Sequence, residues 1–121
     1  MNWEVLILKL ADPAERSWSL DSAVRVPLGE TEQVKAALAS VFGEGDWSTL
    51  GKGLFDHQGC SFEAGIGIHG QVDTMTLEFW KAGDPLPSLR ELCSSNGWQA
   101  WDLDLWRPVD FSGQADARKL P

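Results

Sequence analysis

The chain has 121 residues, of which 43% are hydrophobic and 23% are charged, a balance typical of one small globular domain. Its formal net charge of −8, from 18 acidic and 10 basic residues, disfavours nucleic acids and anionic lipids as partners, because both are negatively charged. The same charge favours a basic protein partner, although an acidic surface also serves solubility alone.

The N-terminal segment and the cysteines predict a cytoplasmic protein. "MNWEVLILKLAD" has no basic segment before its short apolar run, which is unlike a secretion signal, and no apolar run approaches the ~18 residues of a membrane span. Cys60 and Cys93 are too few for a disulfide scaffold and match no zinc-binding spacing. We therefore expect reduced thiols, no metal, no cofactor and no contact with a membrane.

In the first third of the chain, the pattern predicts one strand and one helix. "WEVLILKL" (3–10) is apolar on both faces, which favours a central strand that is covered on both sides. Residues 11–29 are predicted to form a long loop, with a short extended piece at 23–26. The helix is expected to begin at Thr31, which can cap it, and to end at Gly43.

The middle of the chain predicts a hairpin. A turn-rich connection, with one short strand at 54–56, leads into "SFEAGIGIHG" (61–70) and "VDTMTLEFW" (72–80), which alternate between apolar and polar residues around a turn at Gly70–Gln71. The residues expected to face the core are Phe62, Ala64, Ile66, Ile68, Met75, Leu77 and Phe79.

A second helix and a last strand follow. Asp84 is expected to cap the helix, Pro85 to occupy the first helical position and Asn96–Gly97 to end it. In "NGWQAWDLDLW" (96–106), a two-residue period predicts one inward and one outward set of side chains. The inward set is Trp101, Leu103 and Leu105, and the outward set is Ala100, Asp102, Asp104 and Trp106.

The predicted order is β-α-β-β-α-β, the split βαβ or ferredoxin-like pattern of the α+β class. Right-handed crossovers would then place two helices on one face of a four-stranded antiparallel sheet. We expect a single domain over residues 1–111 and a flexible tail at 112–121.

The helix-free face of this sheet is the predicted binding surface. Between Glu44 and Asp110 the chain has 11 acidic and 4 basic residues, so the acidity is concentrated in the strands that build this face. Tryptophans among polar groups are typical of protein-binding patches. The predicted contacts are Glu63, Glu78, Trp80, Asp102, Asp104 and Trp106. The alternatives are an acidic face that is only solvated, tryptophans that fold over their own strands, and a face covered by the 11–29 loop.

The motifs that suggest other chemistry have simpler explanations. Residues 65–70 match G-x-G-x-x-G, but a strand is predicted to follow, whereas a nucleotide site needs a helix there. Asp56, His57 and Cys60 lack metal-ligand spacing. Cys93 is predicted to lie on the apolar side of the second helix, as a structural thiol does. We therefore predict no catalytic residues and no enzyme.

Two segments carry a family resemblance. "GDPLPSLRELCSSNGWQAWDLD", and upstream "VPLGETEQVKAALASVFGEGDWS", resemble a group of small acidic bacterial proteins of unassigned function that share the pattern GDP-P-L--LC--NGW-A-D. The likeness covers most of residues 24–111. These proteins are similar in size and acidity to bacterial toxin-immunity proteins, and the resemblance implies no catalytic residues.

The sequence thus predicts a non-enzymatic cytoplasmic protein whose acidic, tryptophan-bearing sheet face masks a basic protein partner, with toxin immunity as the specific role suggested by the resemblance. The alternative is a small-molecule-binding or homodimerising domain, in which the 11–29 loop and Trp18 form a lid over the same face. A small hydrolase that uses the acidic residues lacks a supporting motif.

Overall fold

The fold, taken from a computed structural model, is described for residues 2–12, 14, 18–81 and 84–111. The predicted tail at 112–121 lies outside the described residues. The described elements, in chain order, are β1 (Trp3–Leu10), β2 (Arg25–Val26), β3 (Gly29–Glu30), α1 (Thr31–Phe42), β4 (Asp46–Thr49), β5 (Lys52–His57), β6 (Cys60–Gly65), β7 (Gln71–Val72), β8 (Met75–Lys81), α2 (Leu86–Asn96), β9 (Gln99–Asp102) and β10 (Arg107–Pro108).

The main sheet has eight strands and is larger than predicted. Seven of them pair antiparallel in the order β10-β9-β1-β8-β6-β5-β4, and β2 pairs with the end of β1. The strands β3 and β7 form a separate two-stranded sheet. The prediction of a four-stranded ferredoxin-like sheet is therefore wrong, although the coarser class, α+β with two helices, is confirmed.

The extra strands come mainly from residues 46–57, where the sequence predicted only one short strand. A turn at Leu50–Gly51 joins β4 to β5, and Gly51 has a φ of +78°. Gln58 and Gly59, which join β5 to β6, have φ values of +50° and +82°. Two consecutive positive φ values belong to the type I′ turn, whose twist matches that of a two-stranded hairpin. The connection is therefore a continuous run of hairpins.

Both helices begin and end near the predicted positions. Thr31 is the first residue of α1 and not its cap, which is Glu30, whose backbone N–H donates to Oε1 of Gln33 at 2.9 Å. The Thr31 hydroxyl instead donates a hydrogen bond to the carbonyl oxygen of His69 at 2.7 Å, which ties the helix to the loop before β7. At the start of α2, the Asp84 carboxylate accepts the backbone N–H of Leu86 at 3.2 Å. Gly97 ends α2 in the left-handed conformation, with a φ of +68°, which glycine adopts without steric cost.

The main core lies between the two helices and one face of the sheet. The apolar side chains of α1 and α2 pack against the odd-numbered residues of β1 and the inward residues of β6 and β8. Within it, the rings of Phe55 and Phe62 stack with centroids 5.0 Å apart. Each fully buried large side chain contributes about 1.5–3 kcal/mol to the free energy of unfolding. The fully buried members of this core are Val5, Ile7, Val34, Leu38, Phe62, Ala64, Val72, Met75, Leu77, Phe79, Leu89 and Leu92.

A second, smaller core covers part of the opposite face. Leu8, Leu10 and Trp101 are buried there beneath the segment 18–23, and the rings of Trp18 and Trp101 lie 5.3 Å apart. The C-terminal half of β1 is thus covered on both faces, as predicted: the main core beneath the helices covers one face, and residues of the 11–29 loop cover the other. We call the rest of this helix-free side the open face; it is formed by β8, β6, β5 and the N-terminal half of β1.

The predicted hairpin between β6 and β8 has a longer connection than expected. Ile66 is buried, but Ile68 is 68% exposed, so its predicted place in the core is wrong. The reason is that β6 ends at Gly65, and Gly67, with a φ of +80°, turns the chain toward β7. No helix follows this G-x-G-x-x-G segment within the described residues, since it leads into β7 and β8.

Candidate functional site

Three glutamates stand side by side on the open face. In the register of the sheet, Glu4 on β1 lies directly opposite Glu78 on β8, and Glu78 lies directly opposite Glu63 on β6. Neighbouring strands are about 4.8 Å apart, so these three residues form a line of carboxylates about 10 Å long that runs across the strands. We call Glu4, Glu78 and Glu63 the glutamate row.

The carboxylates of the glutamate row lie next to one another, and the nearest basic position in the register is exposed Lys52 on β5, which pairs with Gly65 and is diagonal to Glu63. Glu4 is exposed, and Glu63 and Glu78 are half-buried. Asn2 donates a side-chain hydrogen bond to Oε2 of Glu78 at 2.8 Å. An ion pair joins Lys35 to Glu32 on α1, away from the row. Because like charges directly opposite each other destabilise a sheet, this arrangement costs folding energy.

Apolar residues flank the glutamate row. Leu54 on β5 lies directly opposite Glu63 and is 45% exposed. At the other end, the backbone N–H of Leu103 donates to the carbonyl oxygen of Glu4 at 3.1 Å, which places half-buried Leu103 beside it. The open face therefore combines carboxylates with accessible apolar surface.

Trp80 borders the open face on β8. It is 40% exposed and lies next to a register shift, at which Phe62 pairs with Phe79 whereas Ser61 pairs with Lys81. Such a β-bulge adds one residue to a strand and changes the direction of its side chains. Of the six predicted contacts, Glu63, Glu78 and Trp80 are thus brought together on β6 and β8.

Asp102 cannot be a contact residue, and its prediction as an outward side chain is wrong. It pairs with Val5 on β1, whose side chain faces the helices, and it is fully buried. Its Oδ1 accepts the backbone N–H groups of Asp104 at 2.9 Å and of Leu105 at 3.0 Å. Asp102 therefore holds the turn after β9, and its role is structural.

The predicted alternation in 96–106 is inverted because the register with β1 decides which side each residue takes. Ala100 faces the helices, and Trp101 lies on the opposite side in the second core, so it is buried, but not against the helices. Leu105 is 41% exposed, because β9 ends at Asp102 and the chain turns. The expectation that Leu105 lies in the core is wrong.

Asp104 and Trp106 are exposed, as predicted, but in a turn between β9 and β10. Trp106 is 52% exposed, has a φ of +56°, and its ring makes an edge-to-face contact with Trp101 at 5.7 Å. A bulky side chain is uncommon in this left-handed region, which strains the backbone. Through Trp101, Trp106 lies on the same side of the sheet as the open face.

Sequence reasoning missed Glu4 and Leu54. Glu4 is the one polar residue in the apolar run of β1 before Lys9, and an acidic residue there indicates an uncovered position. Leu54 belongs to the strand β5, of which only three residues were predicted. The pairing of Glu4 with Glu78 could not be derived from local pattern, because register between distant strands depends on the whole fold.

Other features of the described residues do not form a comparable site. A cavity of about 300 Å³ is lined by Arg25, Pro27 and Asp73, and another of about 260 Å³ lies beside Trp47; neither includes the glutamate row. Within the described ranges, no three His, Cys, Asp or Glu side chains are grouped to hold a metal ion. Burial raises the pKa of the Cys93 thiol to about 12, which disfavours the reactive thiolate.

Among the described residues, neither helix has the length and apolar character to cross a membrane. Comparison with protein-family models, with curated proteins and with solved structures gives no match to this chain. The resemblance to small acidic bacterial proteins therefore stays a prediction, and function is argued from the open face alone.

Proposed function

We propose that this chain is a non-enzymatic cytoplasmic binding protein that masks a basic surface of a protein partner with its open face, and that the partner is a bacterial toxin. The observation that carries the proposal is the glutamate row, which keeps three like charges adjacent on an uncovered part of the sheet. A row that costs folding energy is retained more readily when a cationic partner offsets the repulsion.

The surroundings of the row favour a protein partner. Exposed Leu54 and Trp80 provide apolar area that a partner can bury, and aromatic anchors are frequent in interface hot spots. The net charge of −8 would raise the rate of association with a basic surface and would make that rate depend on salt. A homodimer through this face would oppose two glutamate rows, which like-charge repulsion disfavours.

The test begins with the reading frame beside this one in the source genome. If it encodes a protein with a basic C-terminal domain, that domain is expressed with and without this chain, and growth and direct binding are measured. We expect the chain to restore growth. The double variant Glu63→Lys, Glu78→Lys should lose both rescue and binding, while circular dichroism shows an intact fold.

The matched control is Glu91→Lys, which changes an exposed charge on α2, away from the open face. It should bind and rescue as well as the unmodified chain. Binding that withstands reversal of the glutamate row would remove the open face as the interface. A neighbouring frame that encodes no basic domain, or one whose basic domain slows growth equally with and without this chain, would refute the toxin as the partner.

A further inference from the structure

The spacing of the glutamate row limits the shape of the partner. The row crosses three antiparallel strands, so its carboxylates repeat at the distance between strands, about 4.8 Å. An α-helix places residues of one face about 5.4 Å apart, one turn at a time, whereas residues on one face of an extended chain are about 6.7 Å apart. The repeat along the row therefore fits a helix better than a strand.

The row continues into apolar residues at both ends. Leu103 lies at one end of the glutamate row and Leu54 at the other. With the three glutamates, they make five positions on neighbouring strands, which span about 20 Å. That span matches a helix of about 13 residues. A helix with basic residues at the three central turns and apolar residues at its ends would be complementary in both charge and polarity.

One position beside the row has no side chain. Gly65 on β6 pairs with Thr76 on β8 and with exposed Lys52 on β5, two residues along the strands from Glu63 and Glu78. A Cβ atom added to Gly65 would have only the Thr76 carbonyl oxygen, at 3.9 Å, within 4 Å, so packing within this chain does not require a glycine there. Glycine inside a strand is typical of sites where another backbone approaches closely.

We propose, on the basis of the function proposed above, that the partner contributes an amphipathic basic helix that lies across the strands along the glutamate row. Its arginine or lysine side chains, three or four residues apart, contact Glu4, Glu78 and Glu63. The backbone of the helix passes over Gly65 and Thr76.

The probe is a stapled helical peptide of about 15 residues in an alanine-rich background, with arginines at i, i+4 and i+7 and a leucine one turn beyond each end. The staple lies on the opposite side of the helix. A second stapled peptide has the same composition, with its arginines distributed around the helix. Affinity is measured by calorimetry at low ionic strength, and the site is mapped by amide chemical shifts.

We expect the patterned peptide to bind at least about tenfold more tightly than the scrambled one, a difference of about 1.4 kcal/mol. Gly65→Gln, which adds a side chain beside the row without a change of charge, should weaken binding of the patterned peptide by a similar factor, and Thr76→Gln provides a second obstruction if the first variant folds poorly. Gly70→Gln is the control, because a Cβ there meets nothing within 4 Å and the residue lies outside the open face.

The outcomes separate the two proposals. If both peptides bind equally well and both lose binding to the double variant Glu63→Gln, Glu78→Gln, the proposal of a helical partner segment is wrong. The acidic face would then still stand as an interface. Preference for the patterned peptide without an effect of Gly65→Gln and Thr76→Gln would overturn its path across the strands. Failure of the patterned peptide to bind refutes the helix, while loss of rescue in the charge-reversal variant would still uphold the proposed function.

Discussion

Removal of the central charge of the glutamate row should stabilise the protein. Glu78 lies directly opposite both Glu4 and Glu63, so Glu78→Gln relieves two like-charge contacts in one substitution. Glutamine keeps a side-chain oxygen, so it can still accept the hydrogen bond from Asn2. The change is almost isosteric, which leaves electrostatics as the main difference.

The size of the effect follows from Coulomb's law. Two charges about 5.5 Å apart in water repel by about 0.75 kcal/mol. At an ionic strength of about 0.15 M, with a Debye length of about 8 Å, screening reduces this to about 0.4 kcal/mol. Two such contacts give Glu78→Gln a gain of about 0.8 kcal/mol in the free energy of unfolding, or about 3 °C in Tm for a domain of this size.

Urea unfolding of both chains at several salt concentrations tests this prediction. The gain should rise to about 1.2 kcal/mol near 0.01 M salt and fall to about 0.2 kcal/mol near 1 M, as the Debye length shortens. Glu91→Gln, on the exposed side of α2, is the matched control and should change stability by less than about 0.5 kcal/mol. A variant that is less stable than the parent, or a gain that ignores salt, would refute the repulsion on which the proposed function rests.

Three further predictions test the fold. Burial raises the pKa of the Cys93 thiol from 9.0 to about 12. The contribution of the buried neutral thiol to the free energy of unfolding is therefore complete below about pH 9 and is lost as pH rises through about 12, by up to about 1.4 kcal/mol per pH unit. In urea unfolding, Cys93→Ala should lack this alkaline slope. Gly53→Ala should destabilise by about 1–3 kcal/mol in thermal unfolding, because its Cβ would lie 2.6 Å from the ring of Trp47, whereas Gly70→Ala, with nothing within 4 Å, should have little effect. Asp102→Ala should cost about 2–4 kcal/mol in urea unfolding by removing the acceptor of two backbone N–H groups, and an unchanged midpoint would contradict its structural role.

The helices and the two central hairpin strands could be predicted because their signals are local. Capping and stop residues such as Asp84 and Gly97 act on the adjacent turn of helix, and alternation in 75–79 reports burial on one face of a strand. The type I′ turn at Gln58–Gly59 carries a weaker signal, because glutamine is not among the residues that favour positive φ. For this reason the sequence predicts a turn-rich connection with a single short strand at 54–56, where the structure has the hairpins β4 to β6.

The candidate site was predicted only in part, because it depends on register and on which segments cover each face. Glu63 and Glu78 follow from alternation alone, but the place of Glu4 beside them comes from pairing between distant strands. Asp102 was misplaced for the same reason, since its register with β1 turns it toward the helices. A two-residue period identifies two faces of a strand without identifying which face is buried.

Two costly features lie on the same side of this sheet. The glutamate row keeps like charges in direct opposition, and Trp106 holds an exposed ring on a strained backbone next to Trp101. Neither feature is needed to bury the main core, which is complete beneath the helices on the opposite face. Natural sequences break local rules mainly where function requires it, and two such exceptions on one uncovered side favour that side as the interface.

Because Leu103 lies beside Glu4 and begins the turn that ends at Trp106, a partner on the glutamate row would also reach this tryptophan. Trp106→Ala should therefore weaken partner binding while it relieves backbone strain only slightly, and fluorescence of the remaining tryptophans with thermal unfolding would separate the two effects.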